Sequence, residues 1–163
     1  MLSAPGRRVE TRSPTRSFDS VTAYLSWDHE RFARILSGVS RAVDHGQMDR
    51  ARRAYREFGQ VFRRHMLLEE TLLFPLFEAR TGGLESPTAL MRTEHREMLK
   101  AVEMMGEGLS AGSAEGFRTG LGFLQEVMPG HTSKEERILY PAIDNFLSAP
   151  ERASVVARLA SAG

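Results

Sequence analysis

Apolar side chains recur at helical spacing along most of the chain. On the first predicted helix the inward stripe, which runs in steps of four and three residues, consists of Leu25, His29, Phe32, Leu36, Val39 and Val43. These steps keep the positions on one face of an α-helix. No window alternates apolar and polar residues with period two over the length of a strand. The pattern therefore predicts an all-α protein.

Capping residues, glycines and prolines set the bounds of the predicted helices. Ser17 or Asp19 is placed to cap the first helix, and Ser86-Pro87 is a typical start for the third. The predicted helices run from that first cap to about residue 46, and then over about 48–80, 86–110, 113–147 and 150–160. Pro75 and Pro141 are expected to bend their helices, and Pro129-Gly130 is expected to kink the fourth.

The stripes repeat with an offset of 66 residues. The third helix repeats the first stripe as Met91, His95, Met98, Val102, Met105 and Leu109. The second and fourth helices carry Phe58, Phe62, His65, Glu69, Leu72 and Leu76, and Leu124, Met128, His131, Glu135, Ile138 and Ala142. A helical hairpin that occurs twice, with apolar faces at this spacing, is typical of an up-down-up-down four-helix bundle.

Length and composition favour one bundle with short extensions. The chain has 163 residues, 41% of them hydrophobic and 26% charged. We expect the bundle over residues 17–148 and a short C-terminal helix and tail over 149–163. Residues 1–16, with two prolines, one glycine and four arginines, are predicted to form a flexible N-terminal arm.

Several classes of function are excluded by composition. There is no cysteine, so disulfides, thiolate metal sites and cysteine nucleophiles are ruled out. A net charge of +1 gives no reason to expect a nucleic acid partner. No apolar run approaches the ~20 residues of a membrane span, and the N-terminus has no apolar core of a secretory signal. We expect a cytoplasmic protein that binds neither nucleic acid nor membrane.

Polar residues interrupt the apolar stripes at one level of the predicted bundle: His29, His65, Glu69, His95, His131 and Glu135. An unpaired buried imidazole or carboxylate costs about 1–3 kcal/mol, so these residues must satisfy one another or bind a ligand. Imidazole with carboxylate suits iron, manganese or zinc, and two carboxylates suggest two ions. The alternative is a buried His–Glu hydrogen-bond network without metal.

The residues beside these positions are expected to be structural. Glu70 and Glu136 are turned about 100° from the ligand face and are expected to be solvated or paired with arginine, with an auxiliary role at the metals as the alternative. Asp28, Glu30 and Glu94 are expected to be surface charges.

One further histidine and two tyrosines have side chains that could serve such a site. His45 has no histidine at its repeat position and is expected to lie outside the site. Tyr24 and Tyr140 are candidate proton donors, although a core or rim position is the favoured interpretation.

The ordered histidines and glutamates resemble the hemerythrin-like family of HHE cation-binding domains. The match consists of Asp28-His29-Glu30, H-x-x-x-E from His65 to Glu69, Glu94-His95-Arg96, and H-x-x-x-E from His131 to Glu135. The resemblance implies a non-haem di-iron centre with an oxo or hydroxo bridge. His29 and His65 would hold one iron and His95 and His131 the other, with Glu69 and Glu135 bridging. Zinc or manganese stays open as an alternative.

The chain departs from the oxygen-carrying members of that family at two positions. They have a further histidine four residues after the one on helix three, where this chain has Leu99, and an H-x-x-x-x-D pattern on helix four, where the carboxylate of this chain is Glu135 in an H-x-x-x-E pattern. This departure argues against stable, reversible oxygen carriage. The resemblance leads us to expect binding or sensing of dioxygen, nitric oxide or redox state, read by a protein partner. Peroxide decomposition or nitric oxide reduction is the alternative, and iron storage ranks last.

Overall fold

The computed structural model describes residues 16–83 and 86–161, and all regular secondary structure in these ranges is helical. The α-helices are α1 Val21–Asp44, α2 Met48–Leu68, α3 Phe74–Arg80, α4 Ser86–Ser110, α5 Ala114–Lys134, α6 Tyr140–Phe146 and α7 Ala149–Ser161. The all-α prediction is confirmed. The predicted flexible arm, apart from Arg16, lies outside the described residues.

Two π-helical turns join pairs of these helices into long rods. Glu69–Leu73 connects α2 to α3, and Glu135–Leu139 connects α5 to α6. In each turn the backbone N–H that follows, of Phe74 or Tyr140, bonds to the carbonyl of the glutamate five residues earlier. The irregularity expected near Pro75 and Pro141 therefore takes the form of a π-turn just before each proline, whereas α5 continues through Pro129.

Together with α1 and α4, these two long rods make four, and the four form the predicted bundle of two helical hairpins. Short turns make α1 antiparallel to α2, and α4 antiparallel to α5. Gly46 and Gly112, at corresponding turns 66 residues apart, both have φ of 69°. This left-handed conformation suits glycine because it has no Cβ. The repeat in the sequence is therefore also a repeat in the turns.

The start of α1 differs from the sequence prediction. Ser20, rather than Ser17 or Asp19, is the N-cap, and its hydroxyl accepts a hydrogen bond from the backbone N–H of Ala23. Asp144 of α6 accepts further bonds from the backbone N–H groups of Val21 and Thr22, at 2.9 and 3.0 Å. A carboxylate from across the bundle thus completes the cap, which local sequence cannot reveal.

Two apolar clusters enclose the level of the polar residues. One contains Phe32, Phe58, Phe62 and Met98 and extends to the turns at Gly46 and Gly112. The other contains Leu25, Phe74, Tyr140 and Ile143, together with Val155, Val156 and Leu159 of α7. The polar layer between them is therefore shielded from water on both sides along the bundle axis.

Candidate metal centre

The polar residues predicted from the stripes are brought together in the interior of the bundle. His29 lies on α1, His65 on α2, His95 on α4 and His131 on α5, and Glu69 and Glu135 begin the two π-turns. All of them are buried, with exposed fractions of 0–6%. A π-turn widens the helix by one residue at a functional position in many proteins. Here it falls where each glutamate enters the polar layer.

The first group of converging atoms lies between α1, α2 and α5. Nε2 of His29 is 3.1 Å from Nε2 of His65 and 3.3 Å from Oε2 of Glu135. These three side chains offer ligand atoms that all lie within 4.8 Å of one another. Donor atoms at such separations can share one metal ion.

The second group lies between α4, α5 and the first π-turn. Nε2 of His131 is 2.7 Å from Oε1 of Glu135, and Nε2 of His95 is 3.2 Å from Oε2 of Glu69. The ligand atoms of these four side chains again lie within 4.8 Å of one another. Glu135 belongs to both groups, and Oε2 of Glu69 also lies 3.5 Å from Nε2 of His65. Both carboxylates can therefore bridge two ions.

The outer nitrogen of each histidine contacts a second carboxylate. Nδ1 of His29 lies 2.7 Å from Oε1 of Glu136, and Nδ1 of His95 lies 2.8 Å from Oε1 of Glu70. A carboxylate accepts this hydrogen bond, so Nδ1 carries the proton and Nε2 is turned inward. The expectation that Glu70 and Glu136 are merely solvated or paired with arginine is wrong, because each orients a histidine of another helix.

The other two histidines are oriented in the same way by acidic residues that directly precede a histidine of the centre. Nδ1 of His65 is 3.1 Å from Oδ2 of Asp28, and Nδ1 of His131 is 2.8 Å from Oε2 of Glu94. The side chain of Asp28 is fully buried and that of Glu94 is 15% exposed. The prediction of surface charges at these two positions is therefore wrong, whereas Glu30 is exposed as expected.

The sequence contained a signal for these outer carboxylates. Asp28 and Glu94 are 66 residues apart, as are Glu70 and Glu136. Acidic residues that are present at corresponding positions in both copies of a duplicated hairpin suggest a shared role. Sequence spacing does not say which histidine each one meets, because the pairs are formed between helices.

The carboxylates of the centre favour a positive charge among them. Burial alone would lower the pKa of His29, but neighbouring carboxylates, Glu135 foremost, raise it to about 9. The same carboxylate and Glu69 overcome burial at His95 and raise its pKa to about 10. They also raise the pKa of His131. Burial would raise the pKa of Glu135, yet the surrounding imidazoles hold it well below its usual value.

The donor set fits a bound cation. Within the described residues, buried atoms without a hydrogen-bond partner include Nε2 of His95, Oε2 of Glu69 and both carboxylate oxygens of Glu135. With Nδ1 protonated, a neutral imidazole directs its Nε2 lone pair at these oxygens. Such lone pairs repel one another unless a cation or extra protons lie between them. Imidazole and carboxylate ligands whose outer atoms are themselves hydrogen-bonded are typical of metal sites.

Tyr140 is the one tyrosine of the two candidates that reaches the centre. Its hydroxyl donates to Oε1 of Glu69 at 2.5 Å, and its side chain is fully buried. Tyr24 instead donates to the carbonyl of Leu159, and His45 is exposed and contacts the carbonyl of Arg41. The favoured core interpretation of Tyr140 is thus incomplete, because a core tyrosine also contacts the polar centre.

An open cleft of about 310 Å³ lies beside His29, between α1 and α5. Ala33, Met128, Pro129 and Thr132 line it. His29, Met128 and Thr132 also line a small cavity of about 10 Å³ against the centre. The cleft therefore brings an opening to solvent beside one histidine of the centre.

A buried layer of paired imidazoles and shared carboxylates in a four-helix bundle defines a class of cation-binding proteins. The model of the hemerythrin HHE cation binding domain matches residues 20–143, and again residues 86–161. The chain belongs to this family, and it binds metal cations. No curated protein and no solved structure matches it. Among the helices of residues 16–83 and 86–161, none is both long enough and apolar enough to cross a membrane.

Proposed function

We propose that the chain holds a di-iron centre. The centre would bind or sense a small ligand such as dioxygen or nitric oxide, or it would sense a change of redox state. His29 and His65 would hold one iron, and His95 and His131 the other. Glu69 and Glu135 would bridge them. The observation that carries the proposal is the pairing of every outer histidine nitrogen with a carboxylate, while the inner nitrogens converge on two shared carboxylates.

The protein's own residues would hold the metal ions and orient the imidazole ligands. The outer carboxylates fix the imidazole tautomer and make each Nε2 a better electron-pair donor. The two apolar clusters keep bulk water from the layer. When bound there, iron would supply one-electron redox chemistry and coordination positions that the protein leaves free for a small ligand. Two histidines and two shared carboxylates supply fewer donors than the six of an octahedral ion.

The first test is metal content followed by gas binding. Purified protein should contain two irons per chain, and anaerobic reduction followed by nitric oxide or air should change the visible spectrum. A reduced, iron-loaded protein that responds to neither gas would remove the sensing proposal. Two zinc or manganese ions, or no metal, would overturn the choice of iron.

An oxidoreductase is the second candidate, and the position of Tyr140 favours it. Its hydroxyl is a potential proton donor inside the centre, within 3.3 Å of Nε2 of His29. Nitric oxide reduction consumes protons, and peroxide decomposition moves protons between oxygen atoms, so such a donor would assist either reaction. Turnover that is lost in His65→Ala, and that free iron does not reproduce, would establish this function. Absence of turnover with both substrates would exclude it.

A further inference from the structure

One phenol breaks the twofold repeat of the centre. Tyr140 follows Glu135 by five residues, and its repeat counterpart is Phe74, which follows Glu69 by five. Both side chains are fully buried at the end of a π-turn. The ring of Phe74 stacks on His95, with centroids 5.5 Å apart and an interplanar angle of 25°. The two halves of the centre are therefore chemically different in one oxygen atom.

That oxygen lies among the donor atoms of the first group. The Tyr140 hydroxyl is 3.3 Å from Nε2 of His29 and 3.5 Å from Nε2 of His65. These two nitrogens are 3.1 Å apart. Neighbouring donors on one six-coordinate ion, each about 2.1 Å from it, are separated by about 3 Å. The phenol oxygen and the two nitrogens thus have nearly the separations of three ligands on one face of an octahedral ion.

A purely structural role explains only part of this arrangement. The hydrogen bond to Glu69 satisfies the phenol proton. It does not explain why the oxygen also lies within 3.5 Å of two imidazole nitrogens. Three electron-pair donors brought this close repel one another unless a cation or extra protons lie between them, and a shared cation satisfies all three at once.

We propose that Tyr140 is a ligand of the ion held by His29 and His65, and that the corresponding ion near Phe74 lacks this ligand. This inference rests on the proposed metal centre, and it replaces the role of Tyr140 as a proton donor, because a phenol bound to the ion has no proton to give. On binding, the phenol releases its proton to solvent and its oxygen donates an electron pair to the ion, with no change of oxidation state. The half with Phe74 keeps one protein ligand fewer, so an added small anion binds there.

The test exchanges the two rings. Wild type, Tyr140→Phe, Phe74→Tyr and the double exchange are prepared metal-free and titrated with zinc, and the ultraviolet difference band of ionised tyrosine is recorded. Wild type should gain the band of one tyrosinate, Tyr140→Phe none, and the double exchange one. In the ferric proteins a visible phenolate-to-iron charge-transfer band should be present in wild type and in the double exchange. It should be absent in Tyr140→Phe. Azide should bind one equivalent in wild type and two in Tyr140→Phe.

The controls separate the failure of this inference from the failure of the metal centre. Metal content is measured on every sample, and circular dichroism with thermal melting of the metal-free variants checks the fold. Two ions per chain with no tyrosinate signal in wild type, or an unchanged signal in Tyr140→Phe, would overturn the role of Tyr140 alone. Wild type that binds neither iron nor zinc would overturn both. Phe74→Tyr provides a second positive test should Tyr140→Phe not fold.

Discussion

Nδ1 of His95 lies 2.8 Å from Oε1 of Glu70, the residue directly after Glu69. Adjacent residues point about 100° apart on a helix, so one carboxylate of the pair enters the centre while the other meets the imidazole of the next rod. The same relationship joins His29 to Glu136 at 2.7 Å. A pair of neighbouring glutamates thus supplies both a candidate ligand and the support of a histidine in the same centre.

Replacing an outer carboxylate should weaken metal binding without abolishing it. We expect Glu70→Gln and Glu136→Gln to lower metal affinity by about 10–100-fold, the usual effect of removing the partner of a ligating histidine. Competition with a chelator of known affinity measures this change. Glu30→Gln, at an exposed position beside His29, is the matched control. Equal losses in all three variants would show that general charge, and not orientation of the imidazoles, matters.

Removing a bridging carboxylate should have a larger effect on metal retention. Glu135 belongs to both groups of ligand atoms, so Glu135→Ala should lower the content of both ions. Glu69→Ala should also lose more metal than Glu70→Ala. Metal analysis after gel filtration gives the stoichiometry. If Glu70→Ala lost as much metal as the other two variants, the bridging roles would be misassigned.

The metal-free protein should lose stability as the pH rises. The folded-state pKa of His29 is about 9 and that of His95 about 10, above the unfolded value of 6.5. Their contribution to the free energy of unfolding is therefore complete below pH 6.5 and is lost as the pH rises through 9–10. Bound metal replaces these protons, so its stabilisation should grow as the pH rises from 6 to about 8.

Thermal melting at several pH values, with and without chelator, measures both trends. Since 1 kcal/mol shifts Tm by about 2–4 °C in a chain of this size, we expect chelation near pH 8 to lower Tm by about 5 °C or more. A Tm that is unchanged by chelator at every pH would mean that no metal is bound to the folded protein. A metal-free Tm that rises between pH 7 and 10 would contradict the sign of the histidine effect.

The cap of α1 should contribute to stability independently of the metals. Asp144 accepts hydrogen bonds from two backbone N–H groups and from the hydroxyl of Thr22, the last at 2.7 Å. Asp144→Ala should lower the free energy of unfolding by about 1–2 kcal/mol, as for other lost caps. Urea unfolding measures this change. Metal stoichiometry should remain that of wild type, and a loss of metal would show that the cap also shapes the centre.

The cleft beside His29 should set how fast a small ligand reaches the centre. Thr132 lines it, and the repeat counterpart of Thr132 is Met66. Thr132→Met should slow azide or nitric oxide binding several-fold, with little change in affinity, because it narrows the path without touching the ligands. Stopped-flow absorbance gives the rate. Thr119→Met, the same exchange at an exposed position of α5 away from the cleft, is the control and should leave the rate unchanged.

The bundle and its buried polar residues were predictable because their information lies along single helices. The helix bounds agree closely at Ser86 and Ser110, and the six polar stripe positions all face the interior. Periodicity reports which face of a helix is buried, and the 66-residue repeat adds that the faces must meet. Burial of several polar residues on one level then requires a ligand or mutual pairing.

Contacts between rods were not predictable in the same way. Asp28 and Glu94 look like ordinary surface charges beside a ligand, and each is identified only by the histidine of another helix that it contacts. Tyr140 meets His29 across 111 positions of the chain. The rotation and relative height of the packed helices decide such meetings.

The sequence by itself determined the all-helical bundle, its duplication and the choice of His and Glu as interior groups, because helical period and the penalty for burying polar atoms act at each position. Only the tertiary structure decided which carboxylate orients which histidine, that Asp144 caps α1, and that the Tyr140 hydroxyl reaches the centre. Those pairings depend on a few ångströms of axial and rotational register between helices, which local residue patterns do not specify.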